Sequence, residues 1–180
     1  MIKKSTILQA LEQLGSLAQA EGIRLEVSIY GGAAFVLAYN SREATKDIDA
    51  LFHPKEIGEK LVAQVARDLD LPEDWLNSNV AQFVSPKTES KHRLSEIESA
   101  TGLIVHVPTA EYLLAMKAMA CRRPIGAYRG DLDDLSFLIR KMGIHSLDQI
   151  QEAMDRFYPD DILPQHHRTL LQSLIDENNE

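Results

Sequence analysis

Two pairs of residues, Gly31-Gly32 and Asp47/Asp49, carry most of the chemistry legible in this chain. Residues two apart in a strand project to the same side. The carboxylates of Asp47-Ile48-Asp49 are therefore expected to point together from the apolar setting Asp-Ile-Asp-Ala-Leu-Phe. Two carboxylates so placed can hold a divalent cation between them. Adjacent glycines at a strand end let backbone amides come close to an anion such as a phosphate. Each signal alone is weak, because most Gly-Gly pairs are only turns and most exposed acid pairs are only solvated. The order of strand, Gly-Gly, short helix, Thr45-Lys46-Asp47-Ile48-Asp49 and apolar strand is far more restrictive.

Several elements must hold these residues in place. A strand is expected over Leu25 to Tyr30, ahead of the glycines, and a small apolar helix over Ala33 to Tyr39, behind them. The N–H groups that open such a helix add partial positive charge for an anionic ligand. Upstream, Ile7, Leu8, Leu11, Leu14, Leu17 and Ala18 recur at helical spacing from about Ser5 to Glu21, and Gly22 supplies the stop. Downstream, Pro54 opens a long helix with Ile57, Leu61, Val62, Val65 and Leu69 on one face. Leu71 to Arg93 contains Pro72, Asn77, Asn79 and Pro86, which predicts loop plus one short strand around Val80 to Val84. Leu103 to Val107 is an apolar run of strand length that ends at Pro108.

These blocks resemble the nucleotidyltransferase superfamily, in which a Gly-Gly or Gly-Ser turn is followed, after a helix, by an Asp-x-Asp or Asp-x-Glu strand. The likeness is greatest to the small bacterial branch that holds the abortive-infection toxin nucleotidyltransferases and related uncharacterised domains. There the acid pair follows Arg-x-Thr-like residues, here Arg42, Thr45 and Lys46. A lysine in an apolar helix with basic residues after it is matched by Lys117, Arg122 and Arg123, and an acidic helix start by Asp131, Asp134 and Leu135. The resemblance runs from about Leu25 to Met142.

The resemblance implies roles for these residues. Asp47 and Asp49 hold Mg²⁺, or Mn²⁺, against a nucleoside triphosphate, and Gly31 and Gly32 cradle its phosphates. Lys117 offsets phosphate charge and Asp134 is a further catalytic acid, while Thr45, Lys46 and Arg122 belong to the nucleotide-binding set. The family's later strand carries a third carboxylate, yet Leu103 to Val107 offers His106. Four explanations stand: one well-held metal, an acid such as Asp134 from elsewhere, His106 as the base, or lost catalysis.

Each of these residues also has a bland reading. Tyr112 to Cys121 is apolar nearly all round, so its helix is expected to be buried, and Lys117 then needs a carboxylate, a phosphate or water. Asp131 and Asp134 stand where a helix cap and a first-turn acid also belong. Ser146-x-x-Gln149 is a capping box. His166 and His167 open a last helix, Pro164 to Ile175, and being adjacent they are expected at the surface rather than on a metal. Lys91-His92-Arg93 and Arg122-Arg123 with Arg129 are either solvated charges or parts of a basic groove.

With 180 residues, 44% of them hydrophobic, the chain is long enough for one substantial core. One domain over 1–180 is expected, with a core at about 22–108 and a helical C-terminal part at about 109–180. The fold class is α/β, in the α+β sense, with a small mixed sheet from strands near Leu25, Asp47, Val80 and Leu103, flanked by helices. No apolar run approaches the roughly 20 residues that span a bilayer, and Met1-Ile2-Lys3-Lys4 leads into an amphipathic helix, so a cytoplasmic location is expected. The lone Cys121 reads as a buried thiol. A net charge of −8 disfavours strong nonspecific nucleic-acid binding without excluding a local basic groove. The expected function is Mg-dependent transfer of a nucleoside monophosphate from the triphosphate to an acceptor. An RNA end such as the tRNA acceptor stem or a protein side chain are the acceptors considered, with an antitoxin protein as partner. The alternatives are a nucleotide- or partner-binding module with a degenerate site, and an antitoxin or structural protein whose acids only form ion pairs.

Overall fold

The stripe of Ile7, Leu11, Leu14 and Ala18 is the buried face of helix α1 (Lys4–Ala20) in the computed structural model, which describes residues 1–85, 89–97, 102–121 and 131–179. The chain divides into two compact units, Met1–Gln82 with Lys91–Pro108, and Phe83–Ser90 with Thr109–Glu180.

The first unit begins with β1 (Ile2–Lys3) and α1. Then come β2 (Leu25–Ile29), α2 (Gly31–Leu37), β3 (Ala44–Thr45) and β4 (Ile48–His53). It is completed by α3 (Lys55–Asp68), β5 (Leu76–Asn77), β6 (Lys91–Arg93) and β7 (Leu103–Pro108). The main sheet has the order β5-β4-β2-β7-β6. Within it β2 runs antiparallel to β4 and parallel to β7, and β6 closes the far edge antiparallel to β7.

Alternation in these strands separates two faces. Leu25, Val27 and Ile29, Ile48 and Ala50, and Leu103, Val105 and Val107 enter one core with α1 and with Leu61, Val62 and Val65 of α3. Each Leu, Ile or Val among them contributes about 1.5–3 kcal/mol by leaving water. The registers place Glu26 and Ser28, Asp49 and Leu51, Ile104 and His106, and Lys91 and Arg93 together on the opposite face.

In the second unit α4 (Ala110–Ala120) is followed by α5 (Leu132–Met142), α6 (Leu147–Phe157) and α7 (Gln165–Asn179). As its apolar sequence requires, α4 is buried from Tyr112 through Met116 and again at Ala118. The Tyr112 ring packs 4.7 Å from Phe157, and its hydroxyl accepts the Ser85 amide at 2.8 Å. Ser85 Oγ donates to the Phe157 carbonyl and Tyr158 Oη to that of Phe83, which ties Phe83 and Ser85 to these helices. Cys121 is buried, and its thiol is pushed up to about 11, first by burial and then by the Asp131 carboxylate.

The α/β architecture with a mixed sheet, flanking helices and a helical C-terminal part agrees with expectation, as does the capping box at Ser146 and Gln149. The strand around Val80 to Val84 does not form. Asn79–Gln82 is a 3₁₀ turn, and the sheet is completed instead by β5 and β6, two and three residues long. Elements that short leave no periodicity to read. Helix α2 begins at the glycines rather than after them, and Asp47 sits in the bend ahead of β4, not within it. His167 is buried at 7% exposure because it continues the inward stripe of Leu171 and Leu174 on α7, while His166 is exposed. No helix among the described residues is long and apolar enough to cross a membrane.

Trp75 is fully buried, its Nε1 donates to the Val62 carbonyl at 3.1 Å, and its own carbonyl accepts the Ile48 amide at 2.8 Å. It therefore ties α3 to the start of β4. Trp75→Ala is expected to cost about 3–5 kcal/mol and Trp75→Phe roughly half of that, read from urea unfolding followed by far-UV circular dichroism.

Candidate functional site

Backbone geometry at the end of β2 places the glycine turn against the acidic strand. The chain leaves β2 through Tyr30, whose amide donates to the Asp49 carbonyl at 2.8 Å, and turns into α2 through Gly31 at φ +56°. An L side chain is strained there, and a Cβ on Gly31 would also stand 2.7 Å from Asp49 Oδ2, so the carboxylate would have to shift. Next to it, a Cβ on Gly32 would stand 2.6 Å from Thr45 Oγ1 and 3.6 Å from an Arg42 guanidinium nitrogen. Both glycines are thus required by the close approach of the Asp49 and Thr45 side chains.

Thr45 shapes the loop that carries the first acid. It is buried at 4% exposure, pairs across β3 with Ile2 of β1, and donates its hydroxyl to the Asp47 carbonyl at 3.0 Å. This bond fixes the bend from which Asp47 emerges half-buried, beside the exposed Lys46 and ahead of the half-buried Asp49. Among the described residues, no group of three or more His, Cys, Asp or Glu side chains could hold a metal by itself. His106, at the place where a third carboxylate was sought, is half-buried and lies level with Ser28 of β2 and Arg93 of β6. Tyr39, behind α2, donates its phenol to the Pro108 carbonyl at 2.8 Å, and burial raises the phenol above its ordinary value.

The other sequence candidates belong to the second unit and form a cluster of their own. Lys117 Nζ lies 2.6 Å from Asp131 Oδ1 and 2.9 Å from Asp134 Oδ2, with the side chains only 11%, 2% and 2% exposed. An apolar helix carrying one ammonium has here found two carboxylates, so the charge is compensated inside the fold. Asp131 occupies the N-cap position of α5, but its side chain makes no cap hydrogen bond and is turned to Lys117 instead. Arg122, with Arg123 and Arg129, lies outside the described residues.

Sequence reasoning passed over Ser28 and left Lys91 among solvated charges or a groove. The structure makes Lys91 the first residue of β6 and bonds its Nζ to Ser28 Oγ at 3.0 Å. The alternation Glu26-x-Ser28 and Lys91-x-Arg93 was visible, but assigning it to one face needed the strand order.

The chain belongs to the family described as nucleotidyltransferase of unknown function (DUF6036), whose pattern matches residues 5–169. A solved structure similar to it is the crystal structure of an antigenic nucleotidyltransferase-like protein from Paracoccidioides brasiliensis. The two are 13% identical with a TM-score of 0.49, over 97% of this chain and 94% of that one. None of the curated proteins is close enough in sequence to match.

Gly31→Ala is expected to lower stability by about 1–3 kcal/mol in thermal melts. Adding Asp49→Ala should restore the part due to the clash but not the part due to backbone strain, leaving a coupling of about 1 kcal/mol in the double-mutant cycle. Lys117→Met removes the ammonium that faces the two buried carboxylates and should cost about 3–5 kcal/mol. Replacing all three members of the triad by apolar residues of similar volume should recover most of that loss in the same assay.

Proposed function

We propose that the protein transfers a nucleoside monophosphate from a nucleoside triphosphate to an acceptor at the site built by Gly31, Gly32, Asp47 and Asp49. The observation that carries this reading is the approach of Asp49 Oδ2 to within 2.7 Å of the place a Cβ on Gly31 would take. A turn that opens its amides to an anion is there set directly against a carboxylate that suits a cation. Membership in the nucleotidyltransferase family supports the same chemistry.

Two half-buried carboxylates fit Mg²⁺, which keeps several waters and takes its remaining ligands from one or two acids and substrate phosphates. Asp47 and Asp49 would hold the ion, and when bound it would offset charge on the phosphates. The residues of the chain do the positioning. The first amides of α2 lack helical acceptors and are available to phosphate oxygens. Thr45 keeps Asp47 in its bend, and Lys46 offers an exposed ammonium beside it. The acceptor hydroxyl oxygen bonds to the α-phosphorus as the α–β bridging oxygen leaves with pyrophosphate. On this face β7 offers the imidazole of His106 to take the acceptor's proton.

An RNA end, such as the tRNA acceptor stem, is the acceptor we favour, in a toxin-like role restrained by an antitoxin protein. The likeness of the Arg42, Thr45, Lys46 and Asp47 block to the abortive-infection branch supports it. A second reading, a nucleotide- or partner-binding module without transfer, is supported by His106 standing on β7 where the resemblance implies a third carboxylate.

Incubation with each α-labelled nucleoside triphosphate, Mg²⁺ or Mn²⁺ and total cellular RNA is expected to move label onto RNA. The Asp47→Ala/Asp49→Ala variant should lose at least about a hundredfold of that activity while remaining folded. Metal-dependent nucleotide binding with no transfer to RNA or protein would instead establish the binding module.

A further inference from the structure

The polar face of the sheet carries a lysine ammonium on Ser28, the diagonal neighbour of Asp49. Lys91 stands on the edge strand β6 in register with Pro108, yet its side chain reaches over β7 and donates to Ser28 Oγ on β2 at 3.0 Å. That path crosses two strand spacings of about 4.8 Å each. Ser28 is paired with Leu51, which makes Asp49 its diagonal neighbour on the same face, about 7–8 Å away between backbones. The Lys91 ammonium is therefore held over the β2 position beside Asp49.

A two-cation transfer site clamps the attacking and leaving oxygens between its ions, and so offsets phosphate charge with a second cation. Level with each other here are Ser28 and His106. Glu26 shares the face, but it lies four residues back along β2 from Tyr30, the residue bonded to the Asp49 carbonyl, a distance of about 13 Å. Ser28 is 8% exposed, and among the described residues its hydroxyl only accepts, so its own proton remains for a ligand. A lysine ammonium is a compact point charge suited to a phosphate oxygen.

On the transfer reading given above, we propose that Lys91, seated on Ser28, is a phosphate-binding residue of the nucleotide site. Its ammonium takes the charge-offsetting place that a second divalent cation holds in two-cation sites, so the site uses one divalent cation per triphosphate. Ser28 is then a positioning residue that aims the ammonium.

Binding separates this from a merely structural bond. The probes are the four ribonucleoside triphosphate analogues with a methylene in place of the α–β bridging oxygen, with the matching nucleosides as controls. Affinity is followed by calorimetry in Mn²⁺, and bound Mn²⁺ is counted by electron paramagnetic resonance. Wild-type protein is expected to bind one Mn²⁺ per analogue. Lys91→Met should weaken the analogue at least about tenfold and leave the nucleoside unchanged, with Lys91→Arg retaining part of the affinity. Ser28→Ala should weaken it by a smaller factor. Lys91→Gln serves in place of the methionine variant if that chain does not fold. Two Mn²⁺ per analogue in the wild type would overturn the proposal. So would unchanged affinity in Lys91→Met while Asp47→Ala/Asp49→Ala abolishes binding, an outcome that leaves the transfer reading intact. A wild-type protein that binds none of the analogues removes both.

Discussion

The approach of Asp49 to the glycine turn is the constraint on which the first unit depends. A side chain at position 31 is excluded twice, by the left-handed backbone at φ +56° and by the carboxylate oxygen 2.7 Å from where a Cβ would sit. Because β2 and β4 are neighbours, the turn that ends one strand has to pass over the start of the other. Only a chain without side chains at that point can do so while an acid occupies the facing position. The buried Thr45 repeats the arrangement one residue further on, against Gly32, and bonds to the Asp47 carbonyl. Turn, acid and bend therefore form one packed unit rather than three separate motifs.

The sheet then divides its labour by face. Apolar residues of β2, β4 and β7 are buried against α1 and α3, and that side supplies the stability. The other side collects polar residues from four strands that are distant in sequence, with Asp49, Ser28, His106, Arg93 and Lys91 brought onto one face. Burial on the first side holds the second rigid, since a slip of one residue in any strand would send its polar side chain into the core. The Lys91–Ser28 bond crosses this face and ties the edge strand to the centre.

The second unit solves a different problem. Helix α4 is buried on nearly every side, and an ammonium within it could not be left alone. Asp131 and Asp134, at the start of α5, meet Lys117 within 2.9 Å, and the same charges reach Cys121, whose thiol Asp131 pushes up and Lys117 pulls down. The pairing sets how α5 begins, because Asp131 gives up the cap hydrogen bond that its position offers.

Sequence alone determined the long elements and the local chemistry of the turn. The stripes of α1 and α3, the apolar strands β2 and β7 and the capping box of α6 are all set by neighbours within a few residues, where periodicity and side-chain type suffice. Tertiary structure alone decided what pairs across long separations. The two- and three-residue strands β5 and β6 exist only because β4 and β7 offer them an edge, and a Val80 strand has no such partner. Likewise, His167 is buried by packing that adjacent histidines do not reveal. Whether Lys117 met a carboxylate and whether Lys91 reached Ser28 depended on contacts 14 and 63 residues apart. Such contacts carry no local signature, because the energy that selects them appears only once the core has brought the strands and helices together.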